Sequence, residues 1–302
     1  MRRAFPVAED VLDGMAAREG LEPPTLALGK PCSIRLSYRA ARGGISVRRA
    51  EGEAMSAMRR WLALAGLLLL AGCGEAAALD RLAPAGEGRV SEVIAADLVL
   101  LDDGEAVKLA GLASLRRRDP YGKEAAAALE ALTLGQEVEL LSGGAARDPF
   151  GRRVAHLRLV KGRRWVQGEM LAQGAARVRT FPDNRALAAE MLEREARARA
   201  KGAGLWALKH YQVRLPAETR RDRGFQVVEG RVTAVRPLGR AYELDVQGLR
   251  AEIPARAVAD FEAAGKAPAS LAGRLVRMRG TMRGGPSLRL DHPETVELLR
   301  DP

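Results

Sequence analysis

Cysteine is nearly missing from this 302-residue chain, with Cys32 and Cys73 the only two. That excludes a disulfide framework and any cysteine-rich metal site. The three histidines, His156, His210 and His292, lie far apart and show no metal-ligand spacing. Aromatic residues make up 4% of the chain, which argues against a protein that grips single strands mainly by stacking bases. No glycine-rich phosphate loop and no nucleophile-elbow pattern occurs. Long apolar runs are absent too. The longest, Trp61–Leu70, falls well short of the roughly 20 residues that cross a bilayer.

What is present is ordinary globular hydrophobicity (47%) and an excess of positive charge, +11 overall. Residues 1–73 carry 11 Lys/Arg against 7 Asp/Glu, which leaves 38 against 31 beyond Cys73. A modest basic balance favours polyanions such as nucleic acid or an anionic membrane surface. An arginine- and alanine-rich coding bias would produce the same balance, so charge alone decides nothing.

The apolar run sits between Met58-Arg59-Arg60 and Leu70-Ala71-Gly72-Cys73. Charge, a short apolar core and small residues are the layout of a secretory signal peptide. The last tetrad resembles a bacterial lipobox, which implies lipidation of Cys73 and cleavage before it. Two or more acyl chains anchor a protein stably. Residues 55–73 therefore read as a lipoprotein signal peptide, and the expected location is the bacterial cell envelope, membrane-anchored through Cys73. Residues 1–54 lack sustained periodicity and read as disordered, or as sequence upstream of a true start at Met55 or Met58. Residues 74–88, rich in Gly, Ala, Pro and Glu, read as a tether.

From Arg89 short β-type runs begin: Val90–Ile94, Leu98–Leu101 and Ala106–Leu112, with a turn at Asp102-Asp103-Gly104. Glu137–Leu141 and Val154–Leu159 also read as strands. Ala125–Leu134, Val166–Gln173 and Asn184–Lys201 read as helices. Short strands with interspersed helices predict a small barrel of OB type. Residues 209–224 read as a charged linker. Beyond it, Phe225–Val235, Ala241–Gln247 and Leu249–Ile253 read as a meander, Pro254–Ala264 as a helix, and Leu275–Met282 with Ser287–Leu290 as a hairpin across Arg283–Pro286. Phe225, Tyr242 and Phe261 read as core. The fold class expected is mainly β with helices, α+β, in two tandem OB-like barrels at 89–208 and 225–302.

Within 89–208 four motifs recur in a familiar order: Tyr121-Gly122-Lys123-Glu124-Ala125, Asp148-Pro149-Phe150-Gly151-Arg152, the Val166–Val178 stretch ending Gln173-Gly174-Ala175-Ala176-Arg177-Val178, and Gly204-Leu205-Trp206. The set resembles the thermonuclease (staphylococcal-nuclease-like) family. That resemblance implies calcium-dependent phosphodiester hydrolysis, in which carboxylates hold the cation, arginines fork onto phosphate and a carboxylate acts as base. Where the family reads Val-Ile-Asp-Gly-Asp-Thr, this chain reads Val93-Ile94-Ala95-Ala96-Asp97-Leu98. Asp97 keeps a metal position and Ala95 loses the other carboxylate. Where the family reads Arg-Leu-x-Gly-Ile-Asp-x-Pro-Glu, this chain runs from Lys108 to Arg116. Lys108 replaces the phosphate arginine, Ala113 the second metal ligand and Arg116 the general base, while Arg152 keeps the other arginine position.

A lone Asp97 cannot satisfy an ion that takes 6–8 oxygens, and Arg116 cannot act as a base. One reading is thus a pseudoenzyme that binds nucleic acid or another polyanion, with Lys108, Arg116, Arg117, Arg118, Arg152 and Arg153 converging on one barrel mouth and no cofactor. A second is a working calcium nuclease using Asp97, Arg152 and an acid recruited from Asp119 or Glu124. A third is a structural envelope module whose partner is a protein. As non-functional roles, Asp97 is a turn aspartate and Arg152 a salt-bridged barrel arginine. Lys161-Gly162-Arg163-Arg164 reads as a solvated hairpin tip.

Overall fold

The computed structural model describes residues 78–113, 115–282 and 287–301, without the side chains of residues 220 and 221. The leader, Cys73 and the turn at 283–286 lie outside the described residues. Among the described residues no helix is long and apolar enough to cross a membrane.

Five strands form a closed barrel: β1 (Ala83–Ala95), β2 (Leu98–Leu101), β3 (Ala106–Leu109), β4 (Glu137–Ser142) and β5 (Arg153–Leu159), in the order β1-β2-β3-β5-β4. All neighbours are antiparallel except β3 and β5. β1 closes the barrel by serving two neighbours. Its first half pairs with β4 and its second half with β2, with register shifts at Pro84/Gly86, Val90/Glu92 and Val93/Ala95. Such irregularities bend a strand around a barrel. Alternation on β3 shows the inside: Val107 and Leu109 are buried, while Ala106 and Lys108 are half-buried on the other face.

The expected tether is shorter than its sequence suggested. Residues 83–88 are strand, paired to β4, and Ala78 and Leu79 are buried in the barrel core. Asp80 accepts from Arg158, itself also held by Glu139. The Gly/Pro-rich composition masked a strand whose neighbours supply the hydrogen bonds.

Helix α1 (Gly122–Thr133) links β3 to β4, and α2 (Val166–Ala172) and α3 (Ala188–Ala200) follow β5. The motif glycines fasten the end of α2 to the segment after α3. Gly174 and Gly204 both have left-handed φ, +68° and +55°. A Cβ on Gly174 would lie 2.1 Å from the Ala203 carbonyl, and one on Gly204 2.4 Å from that of Gly174. Glycine alone permits this approach, which leaves Leu205 N donating to Gly174 O at 2.9 Å.

The expected linker is a packed connection. Tyr211 is buried, its hydroxyl donating to Pro120 O at 2.5 Å, and Arg214 exchanges backbone hydrogen bonds with β6. The second unit holds β6 (Gly224–Arg231), β7 (Ala234–Leu238), β8 (Ala241–Val246), β9 (Leu249–Ile253), helix α4 (Val258–Ala263), β10 (Leu275–Met282), β11 (Ser287–Arg289) and β12 (Val296–Leu298). These lie in two sheets, β12-β10-β6 and β11-β9-β8-β7. The expected 275–290 hairpin is corrected here: β11 hydrogen-bonds to β9, in parallel, rather than to β10. With β6 and β7 taken as one interrupted strand, the pairings repeat those of the first barrel, parallel third-to-fifth pair included, except that among the described residues β10 and β11 do not pair as β4 and β5 do. Phe261 is core as expected, whereas Tyr242 is half-buried and Phe225 half-buried beneath arginines of the first unit.

The units are joined by buried charge. Arg279 on β10 donates to Glu195 on α3 (2.7 Å), to Glu297 on β12 (2.6 Å) and to Val178 O (3.2 Å). Arg279 is 1% exposed and Glu195 0%, so each charge needs opposite charge close by.

Candidate functional site

The hairpin between β1 and β2 has Ala96 and Asp97 as its two central residues, since Ala95 pairs with Leu98. This tight turn presses Asp97 inward, where it is 3% exposed and its backbone carbonyl accepts from Leu109 N at 2.8 Å. Lys108, on β3 and paired across to Leu98, brings its ammonium onto the Asp97 carboxylate. Burial, then the nearby guanidiniums of Arg152 and Arg179, push Lys108 down to about 7, against the pull of Asp148. Contact with a carboxylate favours the charged ammonium. With that ammonium charged, the pair carries no net charge.

The loop before β5 builds a second closed pair. Asp148 accepts from the backbone N–H groups of Phe150 and Arg152, and its other oxygen takes the Arg152 guanidinium at 2.7 and 2.6 Å. Partial burial opposes the Asp148 charge, but the Arg152 and Phe150 hydrogen bonds outweigh it and hold its carboxyl below the ordinary value. Arg147 is likewise engaged, by Glu105 (3.0 Å) and Gly151 O (2.7 Å).

Lys108, Arg147, Asp148, Phe150, Arg152, Arg179, Phe181 and Asp183 line a cleft of about 400 Å³. Two of its aromatic rings are unusually exposed, Phe150 at 82% and Phe181 at 47%, and each carries an arginine over its face, Arg152 at 5.1 Å and Arg179 at 5.2 Å.

Of the six cations expected to converge, Lys108 and Arg152 line this cleft and the other four do not. Arg153 turns to the barrel's other face, donating to Glu105 at 2.7 Å and Ala85 O at 2.8 Å. It follows Arg152 on an extended chain, so the two side chains must diverge. Arg117 donates to Val93 O at 3.0 Å. Arg116 is exposed and bound to Asp119; Arg118 is exposed and outside the lining. Asp119 and Glu124, the acids considered for recruitment, are also outside it. Sequence reasoning missed Arg147, Arg179, Phe150 and Phe181. Phe150 lay inside a quoted motif and Arg179 one residue beyond another.

The residues do not fit a calcium ion. Ala95 and Ala113 offer methyl groups where oxygens are needed, and Asp97 is taken up by Lys108. Among the described residues no group of three or more His, Cys, Asp or Glu could hold a metal.

A closed five-stranded barrel, its helix between the third and fourth strands and its third and fifth strands parallel, defines the OB class. Residues 99–208 match the family model of staphylococcal nuclease homologues, and the barrel that they help to build has the form described above. No curated protein matches the chain.

Proposed function

We propose that this is a nuclease relative that has lost metal-dependent phosphodiester hydrolysis and binds nucleic acid or a comparable phosphodiester polyanion in the cleft. The observation that carries the reading is the Asp97–Lys108 contact. The sole surviving metal carboxylate is neutralised from within by the residue at a phosphate-arginine position. Hydrolysis would also need a base, and Arg116 stands at that place. What remains is a cationic cleft with exposed aromatic rings, suited to phosphate with strong salt dependence.

The test is purified protein incubated with DNA and RNA, with and without calcium, followed by binding titrations at rising salt. Binding without cleavage is expected. Calcium-dependent cleavage abolished by Asp97→Ala would sink the reading in favour of an active nuclease, the activity the family match favours. Absence of binding even at low salt would leave a structural, protein-binding role.

The location proposed is the cell envelope, through lipid on Cys73. The Arg59-Arg60 charges, the Trp61–Leu70 run and the Leu70–Cys73 tetrad support it. Mass spectrometry of the N-terminal peptide from membranes tests it. Unmodified Cys73, or a Cys73→Ser variant that stays membrane-bound, would overturn it.

A further inference from the structure

Resting on that reading, we propose that the cleft's anion-binding residue is Arg179, and that the second sheet unit completes the site, seating a phosphodiester group of a nucleic-acid strand at the seam between the units.

The other cations that line the two cavities there are accounted for. Lys108 faces Asp97, Arg147 faces Glu105 and Arg152 faces Asp148. Across the seam Arg279 is held by Glu195 and Glu297, and Arg289 by Asp291. Arg179 differs. Among the described residues it has no carboxylate within ion-pair distance, although burial strips it of water and lowers its affinity for a proton. Asp183, exposed on the rim of the same cleft, does not reach it.

What holds Arg179 comes from both units. Phe181 of the first and Phe225 of the second lie 5.2 and 5.5 Å from its guanidinium carbon. Thr281 on β10 takes one terminal nitrogen at 3.3 Å. Rings and a hydroxyl fix the plane of the fork without neutralising it. A half-buried cation without a counter-ion is costly, and the cost is recovered when an anion arrives. The side chain also lines both the 400 Å³ cleft and a smaller hollow of about 150 Å³ at the seam, shared with Thr281 and Arg289. A strand lying in the cleft can therefore pass a phosphate to the seam, where a planar fork offers two donors to its free oxygens.

The experiment is fluorescence anisotropy of the full chain with a labelled single-stranded oligodeoxynucleotide of roughly 16 residues, enough to fill one OB-type site, over a range of salt. Arg179→Gln should weaken binding about tenfold or more, the worth of a charged hydrogen bond. It should also flatten the salt dependence by about 0.7, one phosphate contact. Arg179→Lys should recover part of the affinity, and Thr281→Val should weaken binding about two- to fivefold. Arg164→Gln, an equal loss of charge on an exposed turn, should change little. Melting curves check folding, and if Arg179→Gln proves unfolded, Arg179→Lys and Thr281→Val carry the test. Affinity within twofold of the parent for Arg179→Gln, with loss in Arg152→Gln, overturns this assignment alone. No binding by the parent protein at low salt overturns it together with the reading on which it rests.

Discussion

In the first unit the strands pair in a circle, β4 to β1 included, whereas in the second β10 pairs with β6 and β12, β11 pairs with β9, and the circle stays open. The pairing order is otherwise shared. The closed unit buries its own core from Val90 to Trp206. The open one buries a smaller cluster around Phe261 and Val276 and turns one face of β10 against its neighbour. There it commits Arg279, whose two counter-charges come one from each unit, Glu297 from β12 and Glu195 from α3. The comparison teaches that the second unit shares a buried ion pair with the first. It returns Phe225 and Thr281 to the site.

The largest effect should come from cutting that tie. Arg279→Ala leaves buried Glu195 with only the longer Arg199 contact and the Val178 N–H, at a cost of about 3 kcal/mol. Urea unfolding should show it, with the second unit melting apart from the first. Adding Glu195→Gln to Arg279→Met should recover most of the loss, because no charge is then stranded. Equal losses from the single and double variants would mean that packing, not charge, joins the units.

Inside the closed barrel the corresponding cut is Asp97→Ala, which strands Lys108 beside Arg152 and Arg179. Removing one partner of a largely buried pair should cost about 3 kcal/mol, read as a lower denaturation midpoint at pH 7. Were Asp97 a free surface carboxylate waiting for a metal, its removal would be nearly neutral or stabilising.

Acid should also act on the closed core, through the buried histidine that it holds. Burial pushes His156 down to about 4, only partly offset by the Ala186 backbone. The unfolded chain binds that proton near pH 6.5. Stability from His156 is thus fully present above about 6.5 and lost as pH falls toward 4, amounting to about 3 kcal/mol. Asp148 and Glu297, held below their ordinary values, give up their share lower still. His156→Leu should flatten the first slope and leave the second. A slope unchanged by that variant would place the acid sensitivity at the seam.

Most of the closed barrel was legible because its signals are local: alternation on β3, the glycines of Gly174 and Gly204, the fork of Asp148 and Arg152. The second unit was half legible. β11 reads as the return arm of a hairpin, and nothing nearby shows that β9 supplies its partner. The emptied metal and base positions could be read from Ala95, Ala113 and Arg116 alone. The convergence of cations could not. Arg152 and Arg153 are neighbours in sequence and opposites in the barrel, while Arg179 acquires its meaning from Phe225 and Thr281, more than 40 residues away in the chain.

The smallest expected effect is that of calcium. A ligand that binds the folded state alone stabilises it by RT ln(1 + [L]/Kd), about 2.7 kcal/mol at a hundredfold excess over Kd. Thermal melts of the full chain in chelator and in millimolar calcium should coincide, since Asp97 is held by Lys108 and, among the described residues, no group of three or more metal-ligating side chains forms. A shift of several degrees would show that calcium displaces Lys108 from Asp97. The first barrel would then hold a metal site, and the contrast with the seam, where Arg179 faces no carboxylate, would disappear.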